Sequence, residues 1–394
     1  MPEDFREHVR SLLASRLPPR APGAPVVVMG AGHDDLETGR RYIATLAELR
    51  MSAPRWPREH GGFGATAEEA TVIAEERERF ASADLYPFMV GIGVAGPTII
   101  DFGEPSQQER WLPGIRTGAE IWCQLFSEPD AGSDLANLGT RADRDGDVWR
   151  VTGQKVWSSR AHYADWGFLL ARSDPDAPKH AGITAFGVRM RTPGVTVRPL
   201  RQMNGDDHFS EVFLDDVLVD DADRIGAVGS GWKVAVGALA HERGSIGGGW
   251  GMVSPEDVIA LAHRARASAA VRDRVAGVVA EMEVSRLANI RARALAQAGR
   301  PGPEGSGAKL RGSLTTRLVS QLAIDLAGLA AIARDERGAE SGQGDEWQTL
   351  FLTGPSFGIR GGTDEIQRNI VGERVLGLPP EPRADKDVPW RRQR

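Results

Sequence analysis

The chain has 394 residues, 41% of them hydrophobic, which is too long for one compact core and leads us to expect two or three domains. Its net charge of −6 is spread over interspersed acids and bases, which argues against a nucleic-acid partner, and its single cysteine, Cys123, excludes an internal disulfide framework and suits a reducing cytoplasm. No apolar run approaches the ~20 residues that span a bilayer, and Met1 to Arg16 carries early acids and no signal core, so we expect an unprocessed cytoplasmic protein without membrane insertion.

In chain order, Phe5, Val9, Leu12 and Leu13 fall on one face of a first helix, and a Pro-rich stretch, Pro18 to Pro25, follows it. Residues 66–82 are rich in the helix formers Glu, Arg and Ala. Gln107 to Ile115 reads as a short helix with Trp111, Leu112 and Ile115 on one side. The texture changes near Ile121. Short apolar or alternating runs appear at Ile121–Phe126, Val148–Val151, Gly167–Ala171, Ile183–Val188, Val195–Arg198 and Glu211–Leu214, punctuated by turn formers such as Asp145-Gly146-Asp147 and Thr192-Pro193-Gly194. This pattern predicts a small antiparallel β domain.

Helical texture returns after Gly229. Val275, Val278, Val279, Met282 and Ile290 form one stripe, and Leu314, Leu318, Leu322, Leu326 and Leu329 a second that reads as core. Gly299–Gly307 is the loop between them, and Arg334–Asp345 reads as an exposed connection. The expected fold is α+β: an N-terminal helical domain (1–120), a central antiparallel β domain (121–228) and a C-terminal bundle of long helices (229–394).

Two features carry little chemistry. Gly91, Gly93 and Gly96 spell G-x-G-x-x-G, but without the preceding strand that a dinucleotide site needs, so a Gly-rich turn or tight helix contact is expected. The eight histidines form no H-E-x-x-H and meet no Cys-x-x-Cys, so no metal site is expected.

Three segments stand apart. Ser127-Glu128-Pro129-Asp130-Ala131-Gly132-Ser133-Asp134 follows a strand, and its small residues let backbone N–H groups approach a phosphate or a flavin; by itself it also reads as an ordinary turn. Gly153-Gln154-Lys155-Val156-Trp157-Ser158-Ser159 puts Trp157 and Ser159 on one strand face, suited to a flat heteroaromatic cofactor or to a tryptophan packed in the core. Gly358-Ile359-Arg360-Gly361-Gly362-Thr363-Asp364-Glu365-Ile366-Gln367-Arg368-Asn369 is a glycine-rich entry to a helix, a place for backbone donors or simply a Thr363 cap with Ile366 and Val371 packing behind it.

In this order and at these distances, the three segments resemble the T-E-P-x-A-G-S-D, Q-K-x-W-[IS]-[TS] and G-T-x-E-I-Q-R segments of the acyl-CoA dehydrogenases. Trp56–Gly64, Ala95–Gly103 and Glu211–Val219 also fit, so the resemblance covers nearly the whole chain. It implies an FAD-dependent oxidoreductase that desaturates an acyl thioester, on CoA or a carrier protein, between its α and β carbons, with hydride passing to flavin N5 and electrons to a protein acceptor. It implies that Gln124, Phe126, Ser127, Gly132 and Ser133 wrap the flavin, with Ser133 also near the thioester. Trp157 would lie against the ring, Ser159 would hydrogen-bond at N5, and Thr363 and Glu365 would touch FAD. A homotetramer or homodimer is implied, with a heteromer as the other possibility.

The chain departs from the family at three places. The common base is a Glu just before the tail Gly-Thr, and here that position is Gly361. A minority of relatives carry the base in a Glu-Arg pair on a C-terminal-domain helix, which matches Glu242 and Arg243 after Gly231-Trp232. Glu242 is therefore the expected base, its pKa raised by burial beside an acyl chain, with Arg243 orienting the substrate and the backbone N–H of Gly361 keeping the donor role toward the carbonyl oxygen. The R-x-x-F-G segment that reaches a neighbouring subunit's cofactor is missing, and Arg264, Arg266, Arg272 or Arg274 would have to replace it. Asp130 stands where relatives have Gly. Two other readings remain: a flavin oxygenase on the same fold, and a non-catalytic partner subunit of a heteromeric dehydrogenase.

Overall fold

The computed structural model describes residues 3–21, 34–245, 253–297, 302, 304–328, 345–382 and 387–392. The chain divides into two compact units, Met1–Leu200 with Asp207–Ser245 and Ala384–Arg394, and Arg201–Asp206 with Ile246–Arg383.

The first unit opens with helices. In α1 (Glu3–Ala14) the apolar face buries Val9 and Leu13, with Phe5 and Leu12 packed beside them. The side chain of Asp35 caps α2 (Leu36–Glu48) by accepting from Thr38 N at 3.0 Å, and a Thr66/Glu69 capping box starts α3 (Ala67–Arg77). Glu76 of α3 accepts from Arg6 and Arg10 of α1, both at 2.8 Å, which ties the two helices together. A π-helical turn, Gly91–Ala95, leads into α4 (Gly96–Phe102). The G-x-G-x-x-G run thus lies in helix, as expected. Its last glycine is demanded by a close approach, because a Cβ on Gly96 would sit 2.0 Å from the Trp56 indole, which also donates to Ile92 O at 3.1 Å.

Helix α5 (Pro105–Thr117) buries Trp111, Leu112 and Ile115. Trp111 meets Trp122 and Trp166 edge-on at 5.3 and 5.4 Å, and these two stack at 5.5 Å. Each buried indole removes roughly 150–250 Å² from water, or about 4–6 kcal/mol as an upper bound, so this trio fastens α5 to the sheet.

The sheet has eight strands: β1 (Trp122–Leu125), β2 (Arg141–Asp145), β3 (Val148–Ser159), β4 (Trp166–Arg172), β5 (Ile183–Arg189), β6 (Val195–Leu200), β7 (Phe209–Asp220) and β8 (Arg224–Ile225). Their order is β6-β7-β3-β2-β4-β5-β8, with β1 added on β4. The pairing is mostly antiparallel, but β1 and β2 each run parallel to β4, a departure from a purely antiparallel domain. Strands β3 and β7 extend well beyond their apolar runs because they pair with each other along most of their length. Helix α6 (Gly231–Ser245) follows, burying Val234, Ala235 and Ala238. The last described residues also belong to this unit: Trp390 lies against the Arg172 guanidinium at 4.7 Å and donates to Asn137 Oδ1 at 3.0 Å.

The second unit is helical: α7 (Pro255–Arg264), α8 (Ala269–Gln297), α9 (Glu304–Ala327), α10 (Asp345–Thr353) and α11 (Asp364–Arg374). Val258, Ala262, Val275, Val278, Val319, Leu322 and Leu350 form its core. The expected leucine stripe is split. Leu322 is buried and Leu326 packs beside it, whereas Leu314 and Leu318, like Ile290 of α8, are exposed. Leu329, most of Arg334–Asp345, residues 299–301 and 303 of the glycine-rich loop and residues 22–25 of the Pro-rich stretch lie outside the described residues, and the expected loop from Glu304 onward is already α9. Among the described residues no helix is long and apolar enough to cross a membrane.

Candidate active site

Strand β1 delivers the chain to Phe126, buried, and Ser127, half-buried. The next residues make a tight turn in which Glu128 and Ala131 exchange backbone hydrogen bonds at 3.1 Å each way. Pro129 and Asp130 occupy its tip. Asp130 is not among the residues with positive φ, so its side chain sits there without left-handed backbone strain. Gly132 and Ser133 follow on an exposed surface, and a Cβ on Gly132 would meet nothing within 4 Å.

What anchors this turn was not read from the sequence. Glu128 and Lys155 form a buried ion pair at 2.8 Å, and Lys155 also donates to Phe126 O at 3.1 Å. The Glu128 carboxylate accepts from the backbone of Gly139 (2.6 Å) and Thr140 (2.9 Å) as well. Burial alone would raise this carboxyl; the Lys155 charge and these hydrogen bonds outweigh it and hold it below the usual carboxylate range. Both residues lie inside the segments singled out above, and the clue available was an acid and a base facing an apolar environment from two motifs. Val156 N donates to Ser127 O at 2.9 Å, so the first two segments are joined directly.

The second segment carries a change of phase. A regular strand would put Trp157 on the face of Lys155, which is fully buried. The register between β3 and β7 shifts between Lys155 and Ser158, and Trp157 adopts φ +61°. The irregularity turns Trp157 outward and Ser158 inward, so the indole is 61% exposed while Ser158 is buried. Trp157 and Ser159 stay on the outer side, as expected from their spacing, with Phe209 edge-on to Trp157 at 6.0 Å. A left-handed backbone at a non-glycine residue costs about 1–2 kcal/mol, and such strain concentrates at functional sites.

Along α6 the buried residues Ala235 and Ala238 are followed on the same face by Glu242. The Glu242 carboxylate is half-buried, with Oε2 3.5 Å from Gln124 Nε2. Gln124, expected beside the flavin, therefore stands beside the expected base. The preceding His241 pairs with Asp101 at 2.7 Å. The side chain of Arg243 lies outside the described residues.

In the second unit, Gly361 and Gly362 take φ +69° and +87°. Gln367, almost fully buried, donates to Gly361 O at 3.1 Å and to Gly362 O at 3.4 Å. No hydrogen bond among the described residues engages the N–H of Gly361. Thr363 caps α11 by accepting from Ile366 N at 3.2 Å. The buried Asp364 accepts from Lys309 at 2.8 Å and Ser313 at 2.9 Å, fixing the start of α11 on α9. Glu365 is exposed and pairs only loosely with Arg368, at 3.3 Å. Of the arginines suggested for the missing R-x-x-F-G contact, Arg274 is paired with Asp325 at 2.6 Å and Arg272 donates to Ala267 O at 3.0 Å.

An oxidoreductase class follows from comparison with known proteins. The N-terminal, middle and C-terminal domains of acyl-CoA dehydrogenase match residues 2–119, 123–217 and 229–376. The chain belongs to the acyl-CoA dehydrogenase family, whose members are FAD-dependent flavoproteins. Among individual relatives, it is 39% identical to acyl-CoA dehydrogenase IpdE1 of Mycobacterium tuberculosis over 96% of this chain and 98% of that protein. Among solved structures, the Tcur3481-Tcur3483 steroid ACAD superposes with a TM-score of 0.80 at 28% identity, over 97% of this chain and 99% of that one. The ChsE4-ChsE5 complex from Mycobacterium tuberculosis gives 0.75 at 30% identity, over 96% and 98%.

The residues present fit FAD. An exposed indole on left-handed backbone offers a flat apolar face, Ser159 stands on the same side, and the open side of Gly132 admits a ligand close to the main chain.

Proposed function

We propose that the protein dehydrogenates an acyl thioester between its α and β carbons, with Glu242 as the base that removes the α proton. The observation that carries this reading is the carboxylate of Glu242, half-buried in line with the buried face of α6 and beside Gln124, in a chain whose tail has Gly361 where a carboxylate is usual. A thioester α proton is removable only as negative charge on the carbonyl oxygen is stabilised, and the N–H of Gly361 is assigned that task. Gln367 would hold the peptide that follows Gly361 in place. Arg243 is assigned to orienting the substrate, and Ser133 to the thioester end.

Trp157, Ser159, Ser127, Phe126, Gly132 and Ser133 would hold the flavin, together with Thr363 and Glu365 of the tail. FAD, when bound, supplies the acceptor for the β hydride at N5. A protein would take the electrons onward.

The steroid enzyme among the structural relatives supports a polycyclic, steroid-derived acyl-CoA as the substrate class. Exposed Val284, Leu287, Ile290, Leu314 and Leu318 on α8 and α9 support an oligomer, and the ChsE4-ChsE5 complex supports pairing with a different chain. Three domains divided near residues 120 and 228 are part of the same proposal.

The test is Glu242→Gln, which keeps shape and removes the base. With FAD bound, α-deuterium exchange and anaerobic bleaching by a panel of acyl-CoAs, steroid-derived ones included, should fall ~10²–10⁴-fold. Exchange and bleaching at the parent rate would end the assignment of Glu242.

A further inference from the structure

The strand end that presents Trp157 and Ser159 is fastened by a cluster far from it in sequence. Arg160 follows Ser159 directly and, like Trp157, is a non-glycine residue with left-handed backbone, at φ +57°. Its N–H donates to His208 O at 2.7 Å. Its side chain turns inward and leaves the residue only 3% exposed. Nε and Nη2 grip the two carboxylate oxygens of Asp34 at 2.7 and 2.8 Å, and the guanidinium lies over the Tyr86 ring at 4.3 Å. The Tyr163 hydroxyl donates to the same carboxylate at 2.7 Å. Bonds from Arg160 and Tyr163 outweigh the burial that would raise Asp34, so the carboxylate stays charged and the fork stays closed.

A buried ion pair is a poor way to stabilise a fold, since apolar residues of similar volume often do as well or better. It is a good way to fix direction, because a two-pronged guanidinium–carboxylate contact allows one orientation. The main chain it fixes needs holding. Two left-handed non-glycine residues lie within four positions, and the exposed indole meets the Phe209 ring edge-on.

We propose that Arg160, Asp34 and Tyr163 are positioning residues that hold the strained end of β3 so that Trp157 and Ser159 face the flavin. The inference rests on the assignment of Trp157 and Ser159 to the cofactor. Arg160 reaches Asp34, just before α2, and Tyr86, ahead of α4, so the cofactor-facing strand is referenced to two segments outside the sheet.

The experiment compares Arg160→Lys, Asp34→Asn and Tyr163→Phe with the parent and with Trp157→Phe, all loaded with FAD. Arg160→Lys keeps the charge and loses the fork. Expected results are FAD binding weaker by about tenfold and a bound-flavin fluorescence that rises toward that of Trp157→Phe, as the quenching indole loses its fixed place. Tyr163→Phe removes one hydroxyl and should move both readouts the same way by less, and it serves if the other two do not fold. Melting temperatures that fall while FAD affinity and bound-flavin fluorescence stay at parent values would overturn the proposal, leaving a cluster that only stabilises. A Trp157→Phe protein with parental bound-flavin fluorescence would instead overturn the placement of Trp157 at the flavin, and the positioning role with it.

Discussion

Replacing Lys155 by Met removes one charge from the buried pair behind the first segment. Lys155 is fully buried and its partner Glu128 nearly so. Met fills most of the volume, so packing loss is small and the electrostatic loss dominates. The Phe126 carbonyl loses its Lys155 donor, and the Glu128 carboxylate keeps only the N–H groups of Gly139 and Thr140. Removing one partner of a buried ion pair costs about 3–5 kcal/mol, because the other charge is left uncompensated. In a unit of this size that corresponds to a melting temperature lower by roughly 6–20 °C. Replacing Glu128 by Gln as well removes the stranded charge, so the double variant should recover at least part of the loss. The excess over additivity measures the pair. Urea unfolding of the four proteins gives the cycle, and FAD titration shows whether the Ser127–Ser133 turn loosens along with it. A Lys155→Met protein within about 1 kcal/mol of the parent would refute the reasoning, since no buried charge could then have been stranded.

Three further outcomes are expected. Glu76 is held down to about 2, first by its hydrogen bond from Arg10, so its folded-state pKa is depressed. Its contribution is complete above the unfolded value and is lost as pH falls from about 4 toward 2; allowing for the partly exposed arginines it is roughly 1–3 kcal/mol, and Glu76→Gln should flatten the acid limb of a stability–pH curve by that amount. Gln367→Met removes the donor to the Gly361 and Gly362 carbonyls and should slow α-deuterium exchange about tenfold at unchanged FAD content; unchanged exchange would show that the turn holds itself. Trp390→Ala loses the contact with Arg172 and the bond to Asn137, and since Arg172 keeps its bonds to the carbonyls of Ala136, Leu138 and Lys179, calorimetry should find a loss of only about 1–2 kcal/mol.

Local periodicity was enough for elements whose burial follows a repeat. Val9 and Leu13 of α1, the trio Trp111, Leu112 and Ile115 of α5, and the continuous apolar runs of β4 and β5, buried on both faces, were readable because the sequence pattern and the burial coincide. Strand β2 was not, since Arg-Ala-Asp-Arg-Asp buries only Ala142 and looks like a charged turn. The leucine stripe misled in the other direction. Its spacing is that of a core face, yet among its described members only Leu322 is fully buried, because helical period reports that a face is apolar and says nothing of what covers it.

The candidate residues were named from the sequence, whereas the contacts around them were not. Trp157 and Ser159 were recognisable from residue type and spacing, but the register shift that turns them outward has no glycine to announce it: the left-handed position is taken by Trp157 itself. Three of the contacts around the candidate residues are long-range. Gln124 meets Glu242 across 118 positions, Lys155 meets Glu128 across 27, and Arg160 meets Asp34 across 126. No helical or strand period connects such residues, so no spacing in the sequence pairs them. What distinguishes them is the cost of burying them unpaired: a buried guanidinium, ammonium or carboxylate must have found its counterpart somewhere in the fold. The strain at Trp157 and Arg160 makes the same argument for the backbone. A left-handed tryptophan on an exposed strand end would relax unless something over-determined it, and in this chain the buried charged groups that flank it are Lys155, paired with Glu128, and Arg160, whose guanidinium grips Asp34 just past the end of β3.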